Sequence, residues 1–72
     1  MLLKVQRPLS SNMPDAPFLL YAQGRRFMTY IPTSKMPADV IAALGGDAKG
    51  YFEAHLEGDQ WRFDQRVDDQ EW

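Results

Sequence analysis

The sequence predicts an α+β domain: a small antiparallel sheet of about five strands, in chain order β-β-β-α-β-β, with one short helix on one face. Three observations predict it. Residues 18–31 (FLLYAQGRRFMTYI) are two apolar runs joined at Gly24. Residues 37–46 (PADVIAALGG) begin with proline, carry an apolar stripe and end on glycine. The turn pattern of Gln23-Gly24-Arg25-Arg26 then recurs as Glu57-Gly58-Asp59-Gln60, followed again by an aromatic-rich run.

Taken in order, Met1 to Gln6 is β-prone, with Leu3 and Val5 on one face and Leu2, Lys4 and Gln6 on the other. Pro8 stops or bends it, because proline donates no ladder hydrogen bond. Residues 9–17 form a surface loop by composition, since Ser, Asn, Asp and Pro favour turns over ladders.

The central hairpin follows. Gly24 suits the positive φ of the first central position of a two-residue type II′ turn. That turn sets a register of Ala22 with Phe27, Leu20 with Thr29 and Phe18 with Ile31 on one face. The other face then pairs Tyr21 with Met28 and Leu19 with Tyr30. Both faces are apolar, whereas a half-solvated hairpin alternates apolar with polar. The second face therefore needs a cover or offers a surface.

Pro37 fits a helix start, Asp39 sits in the positive first turn, and Gly45 ends the helix. Val40, Ile41 and Leu44 make its apolar stripe. Beyond it, Ala48, Tyr51, Phe52, His55 and Leu56 also fit helical spacing. The Gly58 turn and the alternation of Trp61, Phe63 and Val67 favour a second hairpin instead. Its register pairs Leu56 with Trp61, Ala54 with Phe63, His55 with Arg62 and Tyr51 with Arg66. It also sets Glu53 against Asp64, a repulsive pair. Residues 68–72 form an acidic tail whose Trp72 is expected to pack back. The expected core is Leu3, Val5, Phe18, Leu20, Phe27, Ile31, Val40, Ile41, Leu44, Phe52, Leu56, Trp61 and Phe63.

Seventy-two residues make a single small domain, 1–72. A core of this size supplies only about 3–5 kcal/mol, so self-association as a homodimer is a natural expectation. The absence of cysteine excludes disulfides and thiolate metal sites. No apolar run has the length of a membrane helix, and the N-terminal residues lack a signal-peptide core. A cytoplasmic protein with no membrane partner is therefore expected. Charge is asymmetric: five cations against one acid in residues 1–35, three against nine in residues 36–72.

Little chemistry is legible. His55 between Glu53 and Glu57 could bind a metal or move a proton, but a polar strand face explains the same spacing. Gly45-Gly46 follows a helix and so does not cradle a phosphate. No catalytic residue, cofactor, metal or small-molecule substrate is expected. Leu19, Tyr21, Met28 and Tyr30, with Arg25 and Arg26 at the hairpin tip, are of types enriched at interfaces. The expected function is a non-catalytic protein-interaction module: a regulator, inhibitor or assembly accessory. The alternative is single-stranded nucleic-acid binding through Arg25-Arg26 and the sheet aromatics. A pI near 5.1 weighs against that alternative.

Overall fold

The computed structural model describes residues 1–9 and 12–72. Strands β1 (Leu2–Gln6), β2 (Pro17–Ala22) and β3 (Arg26–Pro32) come first. A 3-10 turn (Thr33–Lys35) leads into helix α1 (Ala38–Leu44), and β4 (Lys49–Glu57) and β5 (Gln60–Val67) complete the chain. All five strands form one antiparallel sheet in the order β3-β2-β1-β4-β5. The first strand is thus the middle of the sheet, and each hairpin hangs from one of its edges.

Residues 47–58 are strand rather than helix from Lys49 onward, as the turn at Gly58 predicts. Pro37 stands just before α1 as its N-cap, and Gly45 closes the helix with φ 57°. The expected loop at 9–17 ends one residue sooner, because Pro17 already pairs with Pro32. Its residues 10 and 11 lie outside the described residues. Asp15 ties this loop to the 3-10 turn: its carboxylate accepts from the Ser34 amide at 2.6 Å and from the Ser34 hydroxyl at 2.7 Å. Those two bonds, the amide first, hold the Asp15 pKa below the ordinary carboxylate value.

The inward face of the sheet carries Leu3, Val5, Phe18, Leu20, Ala22, Phe52 and Ala54, all buried. Met36, Val40 and Leu44 close over them from the helical connection. At seven residues, α1 is too short to persist alone and depends on this packing. Two arginines fasten its C-terminal end. Arg7, just past β1, donates through Nε to the Asp47 carbonyl at 2.8 Å and through its second guanidinium arm to the Gly45 carbonyl. Arg66 of β5 donates to the Ala43 carbonyl at 2.6 Å and to the Asp47 carboxylate at 2.8 Å. Cations at this end satisfy orphan carbonyls and oppose the negative pole of the helix.

The sheet is rolled. In a flat sheet β3 and β5 would lie four strand spacings apart, roughly 19 Å. Here Thr29–Pro32 of β3 and Gln60–Arg62 of β5, with Asp59 beside them, line one groove of about 510 Å³. Met28 and Ile31 from one edge and Trp61 and Phe63 from the other pack on the same core.

Both hairpins depart from the expected register, each through a bulge. Leu19 faces Tyr30 and Leu20 faces Thr29 as expected, but Tyr21 then pairs with Phe27 and Ala22 with Arg26. The turn is not the two-residue type II′ form. Three residues, 23–25, lie between the last paired positions, with Gly24 at φ 83° and Arg25 at φ 64°. Two successive left-handed residues lengthen the loop, and the extra residue is absorbed at Met28. Phe27 consequently leaves the core and is 52% exposed, while Met28 packs against the core instead. The second bulge falls between Glu53 and Ala54: Glu53 faces Gln65, Tyr51 faces Val67, and Asp64 is left over. The repulsive Glu53–Asp64 pair is thereby avoided. Leu56, also expected in the core, is 56% exposed. It faces Trp61 at the outer end of the hairpin.

Candidate functional site

The outer face of the sheet, away from α1, gathers the sequence's unassigned features. One row crosses all five strands in register: Phe27 beside Tyr21, Tyr21 beside Lys4, Lys4 beside Tyr51, Tyr51 beside Val67. The next row runs Tyr30, Leu19, Gln6 and Lys49. Lys4 therefore sits at the centre of an aromatic row, with its ammonium 4.7 Å from the Tyr21 ring centroid. Tyr21 and Phe27 meet edge to face at 5.8 Å. Such pairs fix ring orientation and add about 0.5–1.5 kcal/mol beyond area burial.

The two halves of this row fare differently. On the β4 side the tail returns: the Trp72 ring meets Tyr51 edge to face at 5.3 Å, and the Tyr51 hydroxyl donates to the Trp72 main-chain oxygen. Tyr51 is consequently 1% exposed. Among the described residues, the β2–β3 side is left open. Phe27 and Tyr30 are both more than half exposed, with Leu19 and Tyr21 half-buried beside them.

Cations border the open half. Lys4, Arg25 and Lys49 line a cleft of about 310 Å³ whose other wall is Gln70, Glu71 and Trp72. Burial first, then the nearby charges of Lys49 and Arg25, push the Lys4 pKa below its ordinary value. Within the described residues, no acid makes a salt bridge with any of these three cations.

Of the six residues singled out from the sequence, the structure brings Leu19, Tyr21 and Tyr30 together on one face and sets Arg25 at its rim. Met28 does not belong there, because the bulge turns it to the core. Arg26 does not join Arg25; it pairs with Ala22, an inward-facing position. Sequence reasoning missed Lys49 and placed Phe27 in the core rather than on this face. The alternation of β1 did place Lys4 on the outer face, but nothing local says that Lys49 arrives two residues away on a neighbouring strand.

The His55 cluster is a separate surface feature. His55 Nδ1 lies 3.1 Å from the Asp64 carboxylate and Nε2 lies 3.6 Å from that of Glu57, while Glu53 takes no part. The bulge that frees Asp64 creates the first contact. The Asp64 hydrogen bond is the main cause raising the His55 pKa, with Glu57 weaker. Stability from a raised pKa is complete below the unfolded value, about 6.5, and fades as pH climbs through the folded value. In an NMR titration, Asp64→Asn should lower the His55 pKa more than Glu57→Gln does; the reverse order would contradict this geometry. Among the described residues, no group of three or more metal-ligating side chains is arranged to hold an ion. No helix there is long and apolar enough to cross a membrane.

Comparison with known proteins adds no identity. The chain matches no family model, no curated protein and no solved structure. The functional reading rests on the outer face alone.

Proposed function

We propose that the protein is a non-catalytic interaction module that docks an acidic, aromatic-bearing segment of a partner protein on the outer face of its β2–β3 hairpin. One observation carries the reading: an open apolar strip of Leu19, Tyr21, Phe27 and Tyr30 abuts three cations that form no salt bridge among the described residues. Tyrosine, phenylalanine and arginine are the residues that anchor interfaces. Cations that outnumber the acids at the rim favour an acidic partner and speed its encounter. The chain's own tail illustrates the chemistry. Its Trp72 covers Tyr51 at one end of the aromatic row, and its Glu71 lies in the cleft with the cations.

His55 is exposed and lies against two carboxylates, which supports a surface ion-pair reading over a catalytic one. A nucleic acid would also answer cations and rings, so the test must separate the two. Selection from a displayed peptide library should return sequences enriched in Asp or Glu with an aromatic residue. Phe27→Ser combined with Tyr30→Ser should weaken their binding by about tenfold or more, the scale of hot-spot loss. Both side chains are mainly exposed, so the variant should keep its fold. Selection without acidic bias, undiminished binding by the variant, or tight retention on single-stranded DNA instead would each overturn the reading. A dimer that the same variant dissociates would show a second copy as the occupant.

A further inference from the structure

We propose that the cleft between Lys4, Arg25, Lys49 and the tail is a binding site for a phosphate monoester dianion, carried on a phosphorylated side chain of the docked segment. The second half of this proposal rests on the docking reading; the first half stands on the cleft alone.

The cleft is assembled from four distant parts of the chain. Lys4 comes from the middle strand, Arg25 from the hairpin turn, Lys49 from the start of β4, and Gln70, Glu71 and Trp72 from the tail. Bringing three like charges together costs folding energy, and burial first, then the charges of Lys49 and Arg25, lower the Lys4 pKa. Counting side chains, three cations against the Glu71 carboxylate leave two positive charges around the cleft. A carboxylate would cancel only one of them. A phosphate monoester near neutral pH carries close to two negative charges and three acceptor oxygens. Arg25 supplies the planar fork that grips phosphate oxygens in pairs, and the two lysines supply point charges. Gln70, half-buried on the opposite wall, donates one amide N–H to the Asp68 carbonyl at 2.8 Å and has its second for a ligand. A volume of about 310 Å³ is at the small end for a ligand site, which suits a single head group.

Continuity with the docking face fixes where the phosphate comes from. Lys4 stacks on Tyr21, and Tyr21 contacts Phe27. A segment lying along those rings would bring its neighbouring side chain to the cations. The tail gains a role as well. Because it forms one wall, anion binding should tighten its hold on Tyr51.

The test is an NMR titration of the whole protein with inorganic phosphate, then with a phosphoserine peptide chosen by the library selection, and with the same peptide bearing serine. Expected are saturable shifts at Lys4, Arg25, Lys49 and the Trp72 indole, and at least tenfold tighter binding of the phosphorylated peptide. Lys4→Gln with Lys49→Gln should abolish that preference while leaving the melting temperature unchanged or raised, since a repulsion is removed. Arg25→Gln, in an exposed turn, serves as the variant least able to disturb the fold. Shifts that chloride reproduces at equal ionic strength would overturn the cleft. Phosphate binding without any gain from the peptide would overturn the assignment to a docked segment and leave the cleft standing. Equal binding of a phosphodiester strand would replace the dianion with a nucleic-acid backbone.

Discussion

Gly50→Val should unfold the domain or strip it of most of its stability, and Gly50→Ala should cost about 1–3 kcal/mol, the range for overpacking a filled core. Gly50 lies on the inward face of β4 opposite Val5. A Cβ built there would approach Leu44 Cδ2 to 2.8 Å and Arg66 Nε to 3.1 Å. Neither neighbour is free to give way. Leu44 is 1% exposed and closes the core from α1. Arg66 is held by the Ala43 carbonyl and the Asp47 carboxylate. The glycine is required here by close approach of the helix, since no positive φ is involved. Urea unfolding of the alanine variant measures the cost, and a midpoint equal to wild type would show that the helix can shift.

Leu3→Ala should be comparably severe. Leu3 is fully buried on the middle strand, between Ala22 of β2 and Phe52 of β4. Truncating a leucine in such a site costs about 2.7–5 kcal/mol through lost transfer energy and the cavity left behind. A core of this size supplies about 3–5 kcal/mol in total, so the variant should be largely unfolded at room temperature. Collapse into the cavity is limited because strands flank Leu3 on both sides. Circular dichroism and a heat scan read the outcome; a cooperative transition near that of wild type would place the stabilising core elsewhere.

These two sites show how unevenly the fold was written in the sequence. Leu3 was legible: period-two alternation in a β-prone run marks it as a core residue. The same local signals gave both hairpins, the helix at residues 38–44 and the strand character of β4. Gly50 was not legible, because its need for hydrogen arises from a helix six residues earlier folding back over it. The bulges were equally invisible. A bulge is chosen when loop geometry and packing compete over a single residue, and Gly24 alone does not say whether the loop holds two residues or three. That one residue decided the candidate site, moving Met28 inward and Phe27 outward.

What the sequence determined, then, is the list of elements and the inward identity of most core residues, since these follow from periodicity and turn chemistry within about ten positions. Tertiary structure decided what faces the outside. Placing β1 at the centre brought Lys4 between Tyr21 and Tyr51, and the hairpin turn and β4 then delivered Arg25 and Lys49 beside it. The tail packs on the Tyr51 end of that row, because Val67 leaves β5 next to Tyr51 and the Trp72 ring meets Tyr51 there. Which outward residues come to lie side by side depends on which strands become neighbours, and that is a property of the assembled sheet.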